Sequence, residues 1–144
     1  MRIILVGYGV VGRSFTKLLS IRRDELIKRY GLNPRVVAIV DLGWAVVNQR
    51  GLDLDEILKI KLERGTVAGE MKGVKSLDLI PSLDAEVVVE VTPTNIKTGE
   101  PGLSHIEAAI KAKKHVVTTN KGPLALALPA LLELALSLIH ISEP

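Results

Sequence analysis

The segment MRIILVGYGVVGRSF, residues 1–15, gives the strongest indication of the fold of this 144-residue chain. Its residues 3–6 form a short continuous aliphatic run that stops at glycine, which is typical of a strand covered on both faces of a parallel sheet. From Val11 onward the apolar residues recur at helical spacing. The segment therefore predicts a strand, a tight glycine turn and a helix, in that order.

The same alternation continues along the chain. Asn33-Pro34 indicates a turn, and residues 36–40 form a second β-branched run that ends at Asp41. Further strands are predicted over residues 85–91 and 115–118, and further helices over 53–63, over 104–113 with Ser104 as N-cap, and from about Pro129. Strands that alternate with helices predict an α/β fold, a Rossmann-like doubly wound parallel sheet. We expect the sheet to be incomplete at its C-terminal end, because such a fold normally has a further strand in its second half.

Two regions give weaker patterns. Residues 65–75 are rich in Gly and Lys, which indicates a loop or a short irregular strand, and the LDLIPSLDA segment that follows predicts one helical turn. In the strand over residues 85–91, Val and Glu alternate at the end. This alternation indicates that one face of the strand meets solvent or a ligand.

Composition excludes several classes of protein. Hydrophobic residues make up 47% of the chain, charged residues make up 24%, and the mean hydropathy is +0.30, so intrinsic disorder is disfavoured. The formal net charge is only +3, and aromatic residues make up 3%. This leaves little material for base stacking, so we expect no nucleic-acid partner.

Cysteine and histidine usage bears on metal and redox chemistry. The chain has no cysteine, which excludes disulfides, cysteine-ligated metals and thiol catalysis. Its three histidines, His105, His115 and His140, are isolated in the sequence. We therefore expect no metal site, and the lack of cysteine is compatible with a reducing cytoplasm as the location.

The most apolar stretch covers residues 124–139. It contains Pro129 and Glu133 and is shorter than the roughly 20 residues that a membrane helix needs. We expect a helix that is buried or faces a partner, and no membrane segment.

Three glycines stand between the first strand and the first helix in the pattern GxGxxG. Gly7 permits the tight turn, Gly9 removes the Cβ that would collide with a diphosphate, and Gly12 lets the helix lie close to the sheet. The amides of Val10 and Val11 would then point at the anion, helped by the helix dipole. The pattern predicts a dinucleotide site; the alternative is a glycine-rich turn that only packs.

Asp41 is the candidate partner of the adenosine ribose. A carboxylate at the end of the second strand can accept both ribose hydroxyls. It lies further beyond Gly12 than the usual ~20 residues, which a longer helix and connection would explain. The alternative is a carboxylate that caps the next turn. Because Asp41 would repel a 2′-phosphate and no basic residue follows it before Arg50, NAD is favoured over NADP.

Thr92-Pro93 and Lys121 follow the ends of two later strands. In an open α/β sheet, ligands bind at the carboxyl edge, so these segments should converge on the glycine loop. Lys121 could then offer a proton or a fixed positive charge near the nicotinamide. The alternative for an isolated lysine is a solvated surface position.

Taken together, GYGVVGRSF, VEVTPTN and GEPGLSHIEAAIKAKKHVVTTNKGPLAL resemble the NAD(P)-binding domain of homoserine dehydrogenase, especially its shorter archaeal-type members. The TTNKGPLA block is the most specific part. The resemblance covers residues 1–135, which we expect to form a dinucleotide-binding domain, and residues 136–144 are expected to be a non-native or truncated tail. It implies reversible hydride transfer between NAD(P)H and aspartate 4-semialdehyde, giving homoserine on the route to threonine, methionine and isoleucine.

The resemblance also implies residue roles. Those expected to bind cofactor are Gly9, Val10, Val11 and Gly12 at the diphosphate, and Thr92 and Pro93 at the nicotinamide side. Lys121 matches the lysine that acts at the reacting oxygen.

The chain also departs from the family pattern. Leu42-Gly43 stands where a basic or serine-rich pair is common, and Thr92-Pro93 replaces a pair of hydroxyl residues. The resemblance implies a second domain that binds the small-molecule substrate and makes a homodimer, and we expect that domain to lie outside this chain. We expect this chain to bind dinucleotide without turnover. The alternatives are a stand-alone dinucleotide-binding or redox-sensing module, and another semialdehyde or amino-acid dehydrogenase.

Overall fold

The computed structural model describes residues 1–67 and 71–142. Within these ranges the chain forms six strands and five helices, in the order β1 (Arg2–Val6), α1 (Val10–Tyr30), β2 (Arg35–Asp41), β3 (Trp44–Val47), α2 (Leu54–Arg64), β4 (Met71–Lys72), α3 (Ser76–Ser82), β5 (Val87–Glu90), α4 (Gly102–Lys111), β6 (His115–Thr118) and α5 (Lys121–Ser142). The predicted α/β class is confirmed.

One six-stranded sheet runs through the molecule in the order β4-β3-β2-β1-β5-β6. The strands β2, β1, β5 and β6 pair in parallel, so their carboxyl ends share one edge. From β1 the chain passes first to β2 on one side and later to β5 on the other. The point between β1 and β5 is therefore the topological switch point, where open α/β sheets bind ligands.

The four strands predicted from the sequence form this parallel part of the sheet, whereas the remaining strands, β3 and β4, are antiparallel. The cause is a two-residue turn after β2. Leu42 has a φ of 48° and Gly43 a φ of 81°, and positive φ at both central residues makes the tight hairpin that joins β2 directly to β3. Trp44 begins β3 and packs at the edge of the core.

The central strands supply the core on both faces of the sheet. Leu5 and Ile39 pack with helix side chains on one face, and Ile4, Val37 and Val88 pack on the other, all of them fully buried. This double burial explains the continuous aliphatic runs of β1 and β2. It also gives a rigid base to the loops at the carboxyl edge.

Helix α4 begins two residues earlier than predicted, at Gly102. Ser104 lies inside its first turn and is not the N-cap. The carboxylate of Glu100 instead accepts hydrogen bonds from the backbone N–H of Ser104 at 3.2 Å and from its hydroxyl at 2.7 Å. A side chain before the helix thus satisfies an N–H group of the first turn.

Helix α5 begins at Lys121, well before the predicted start near Pro129. Ala127 has non-helical angles, with φ −140° and ψ 16°, so the helix is kinked just before this proline. The window Lys121–Leu138 has a mean hydropathy of 1.4 and is long and apolar enough to cross a membrane, although core helices of soluble proteins also pass this test. Only 17% of this window is buried, with Leu131 among its buried residues, so α5 is largely exposed in the described part of the chain. The expected absence of a membrane segment stays a prediction.

The helix continues past residue 136 to Ser142, and residues 143–144 lie outside the described part of the chain. The proposed division into residues 1–135 and 136–144 therefore stays a prediction.

Candidate dinucleotide site

A cleft of about 960 Å³ opens at the carboxyl ends of β1, β2 and β5. It is lined by most of the residues that the sequence singled out, namely Gly7, Gly9, Val10, Val11, Asp41, Thr92 and Pro93. Its position is the topological switch point, and its lining is mainly apolar with a few polar groups, as is usual for cofactor sites.

Each glycine of the loop has a different structural explanation. Gly7 has a φ of +100°, and a Cβ there would lie 2.9 Å from the backbone of Val91. At Gly12 a Cβ would lie 2.3 Å from the carbonyl oxygen of Gly7, so this glycine allows α1 to approach the loop closely. At Gly9 a Cβ would meet no atom within 4 Å. The middle glycine therefore faces open space, as a cradle for a ligand requires.

The start of α1 faces this space with unsatisfied donors. The first intrahelical bond runs from the N–H of Arg13 to the carbonyl oxygen of Gly9, at 2.9 Å. The N–H groups of Val10, Val11 and Gly12 precede it and have no partner within the helix. The first turn also carries no acidic residue. These features suit an anion such as a diphosphate.

Tyr8 holds the loop from behind. Its side chain is fully buried, and its hydroxyl donates to Oγ1 of Thr16 at 2.9 Å, while Thr16 in turn donates to the carbonyl oxygen of Arg13 at 3.0 Å. Burial raises the pKa of the Tyr8 phenol, so it stays protonated. No role for Tyr8 could be predicted from the sequence, since the x positions of a GxGxxG motif carry no pattern.

Asp41 ends β2 at the side of the cleft and is paired. Its Oδ2 lies 2.5 Å from Nζ of Lys61 on α2, and both side chains are at least nine-tenths buried. Lys61 also lines the cleft, and sequence reasoning missed it. Its signal was weak, because helical spacing places Lys61 on α2 but does not say which strand end α2 covers.

Thr92-Pro93 forms the opposite wall and rests on a buried carboxylate. The N–H and hydroxyl of Thr92 donate to Oε1 of Glu90 at 2.9 and 2.5 Å. Glu90 is 0% exposed, so the interpretation that its face of β5 meets solvent or a ligand was wrong. His105 and Ser76, which also line the cleft, continue the hydrogen bonding from Glu90.

Lys121 is the first residue of α5, at the carboxyl edge of the sheet that also carries the glycine loop. It is exposed and is not among the residues that line the cleft, although Thr119, two residues earlier, is. Between them Asn120 is buried. The structure thus places Lys121 at the carboxyl edge of the sheet and outside the cleft wall, and its role stays a prediction.

Comparison with known proteins gives one consistent family. The model described as homoserine dehydrogenase, NAD binding domain, matches residues 7–138. A homoserine dehydrogenase of Methanocaldococcus jannaschii is 44% identical over 136 residues, which is 92% of this chain and 40% of that protein. An NAD(+)-dependent homoserine dehydrogenase of Pseudomonas canavaninivorans is 35% identical over 129 residues, which is 87% of this chain and 37% of that protein.

Solved structures agree. Homoserine dehydrogenase from Thermoplasma acidophilum has a TM-score of 0.82 and 25% identity, covering 95% of this chain and 40% of its own. A hyperthermophilic archaeal homoserine dehydrogenase in complex with NADPH shares the fold, with a TM-score of 0.77, 21% identity, and coverage of 94% of this chain and 40% of its own. This chain thus spans about 40% of the length of the relatives it matches. The resemblance seen in the sequence is confirmed, and the chain belongs to the homoserine dehydrogenase family as its NAD-binding domain.

Proposed function

We propose that this chain is the cofactor-binding part of an NAD(P)-dependent homoserine dehydrogenase, an oxidoreductase that interconverts aspartate 4-semialdehyde and homoserine. The observation that carries the proposal is the open space in front of Gly9, faced by the unsatisfied N–H groups at the start of α1. The family match and the NAD(+)-dependent relative support it. They do not favour the alternative of a stand-alone module without catalysis.

The residues present fit a dinucleotide in three parts. The N–H groups of Val10, Val11 and Gly12 would hold the diphosphate, and the carboxylate of Asp41 would accept from the adenosine ribose, with Oδ1 as the oxygen that Lys61 leaves available. Thr92-Pro93 would form the wall at the nicotinamide. When bound, NAD(P)H supplies the hydride for the carbonyl carbon of the semialdehyde.

Lys121 would assist at the carbonyl oxygen. Its ammonium is exposed at the cleft's rim, so it can turn toward a substrate held above the nicotinamide by a further domain. There it would donate a proton as the alkoxide forms, or stabilise that charge. In a longer polypeptide that contains this domain, Lys121→Met should lower kcat by at least about 100-fold. A Lys121→Met enzyme with unchanged kcat would remove this role.

For the cofactor preference we propose NAD over NADP, carried by Asp41. Its buried carboxylate stands where a 2′-phosphate would bring further negative charge. The pairing with Lys61 lessens this repulsion, so we expect a modest preference. The dissociation constants of NADH and NADPH, measured by titration of the chain, check this: an NADPH constant equal to or below that of NADH contradicts it.

The proposal for the full-length enzyme is based on membership of the family. We propose a homodimeric full-length enzyme in the cytoplasm, with a small amino-acid substrate bound by residues outside this chain. The test of the whole proposal is direct: the 144-residue chain should bind NADH and should not oxidise homoserine, whereas the longer polypeptide should reduce NAD(P) when homoserine is added.

A further inference from the structure

A buried network joins the ends of β5 and β6 behind the cleft, and its hub is Glu90. One carboxylate oxygen, Oε1, accepts from the N–H and the hydroxyl of Thr92 at 2.9 and 2.5 Å and from Nδ2 of Asn120 at 3.3 Å. The other, Oε2, lies 2.6 Å from Nδ1 of His105. Glu90 thus holds one residue of the cleft wall and one neighbour of Lys121.

The Asn120 branch fixes the backbone on both sides of Lys121. The N–H of Asn120 donates to Oγ1 of Thr118 at 2.9 Å, and that hydroxyl donates to the carbonyl oxygen of Glu90 at 2.8 Å. Oδ1 of Asn120 accepts from the N–H of Gly122 at 3.3 Å. The start of α5 is therefore tied to the end of β5 through one buried amide side chain.

Two glycines make room for this arrangement. A Cβ at Gly102, the first residue of α4, would lie 2.3 Å from Nδ2 of Asn120. A Cβ at Gly122 would lie 2.5 Å from the carbonyl oxygen of Asn95. Larger residues at either position would push the Lys121 segment away from the cleft's rim. Such close packing leaves the segment little freedom to shift.

The His105 branch keeps Glu90 ionised and reaches the cleft. Burial alone would raise the pKa of Glu90, but the hydrogen bonds from His105 and Thr92 outweigh it and lower that pKa. An ionised carboxylate only accepts, so Nδ1–H of His105 donates to it, and Nε2 can accept from the hydroxyl of Ser76 at 2.5 Å. The imidazole orientation is thus set from both sides.

From this geometry we infer that Glu90 is a positioning residue of the dehydrogenase: it orients the Thr92-Pro93 wall for the nicotinamide and holds Lys121 at the cleft's rim, while it touches neither cofactor nor substrate. The inference rests on the proposed function. Its prediction is selective, because the diphosphate and ribose contacts at α1 and Asp41 do not depend on Glu90. Loss of Glu90 should weaken binding of the nicotinamide half only.

The test compares two ligands that differ by the dihydronicotinamide ring. NADH and ADP-ribose are titrated into the 144-residue chain, with Glu90→Gln and Glu90→Ala as variants. We expect Glu90→Ala to raise the dissociation constant of NADH about tenfold and that of ADP-ribose less than twofold. Glu90→Gln retains one acceptor oxygen for Thr92 and should raise the NADH constant about threefold, which is a partial rescue. ADP-ribose binding shows in the same experiment that each variant is folded.

The matched control is Glu86→Ala, which removes the carboxylate just before the start of the same strand, where it pairs with Arg2. It should change neither constant. Equal weakening of both ligands by Glu90→Gln would reduce Glu90 to a structural residue and overturn the inference, as would an unchanged NADH constant. If Glu90→Ala binds neither ligand, the glutamine variant decides. A wild-type chain that binds neither NADH nor ADP-ribose would instead remove the proposed function.

Discussion

Replacing Gly9 by alanine should weaken NADH binding without lowering the stability of the fold. Gly9 has a φ of −81°, which any residue adopts, and its Cβ would meet no atom within 4 Å. Gly9→Ala should therefore leave the free energy of unfolding unchanged or raise it by up to about 0.5–1 kcal/mol, since alanine reduces the entropy of the unfolded chain. The same methyl group would enter the space proposed for the diphosphate. We expect NADH affinity to fall at least about tenfold, or ~1.4 kcal/mol.

The matched variant is Gly12→Ala, three residues along the same motif. Its Cβ would lie 2.3 Å from the carbonyl oxygen of Gly7, so the helix or the loop must move. Overpacking of this kind costs about 1–3 kcal/mol, and this contact is with rigid backbone, so we expect the upper part of that range.

Urea unfolding and calorimetric titration of NADH measure the two effects on the same samples. We expect Gly9→Ala to be stable and to bind NADH weakly, and we expect Gly12→Ala to be destabilised. Wild-type NADH affinity in Gly9→Ala would show that the diphosphate does not pass over this residue. A Gly9→Ala chain as destabilised as Gly12→Ala would show that the space in front of Gly9 is filled in the folded protein.

Three further outcomes are expected. Leu42→Asn should raise the free energy of unfolding by about 1 kcal/mol in urea titrations, because asparagine tolerates the positive φ of 48° that strains leucine; a loss of stability would contradict the turn geometry. Asp41→Asn leaves Lys61 buried without its partner and should cost roughly 3 kcal/mol of stability, whereas the double variant Asp41→Asn, Lys61→Met should recover part of this loss; no recovery would mean that the ion pair is not the cause. The pKa of Glu90 is lower in the folded chain than its ordinary 4.5, so its ionisation stabilises the fold fully above that pH, and this stabilisation is lost as the pH falls through the folded-state pKa. Between pH 5 and acid unfolding, Glu90→Gln should therefore lose less stability than wild type. Parallel pH profiles of the two proteins would refute this.

The local part of the fold could be read from the sequence. The aliphatic runs of β1 and β2 and the helical spacing after Val11 are short-range patterns, and all three elements begin within a residue or two of the prediction. The glycine motif was equally legible, because its GxGxxG spacing is a local pattern, although the backbone that excludes a Cβ at Gly7 is that of Val91, far along the chain. The β2–β3 hairpin was missed since leucine is not a usual residue for positive φ, so Leu42-Gly43 carried a misleading turn signal.

The missed side chains are those whose partners lie far away in sequence. Lys61 meets Asp41 only because α2 crosses the end of β2, and His105 meets Glu90 only because α4 packs beside β5. A charged residue in a strand pattern looks like a solvent-facing position until its partners are known. The start of α5 was misplaced because Pro129 is a good first-turn residue, and it does follow the kink at Ala127.

The two edge strands of the sheet differ in how readily another strand could pair with them. On one side the described part of β4 covers Met71–Lys72, and a charged residue such as Lys72 at a sheet edge disfavours pairing with another chain. On the other side β6 has four residues, with Val117 more than half exposed. Among the described residues no strand pairs with the outer side of β6, so its backbone donors and acceptors offer a template for one more strand. Concentrated preparations of this chain would be expected to assemble through the β6 margin first.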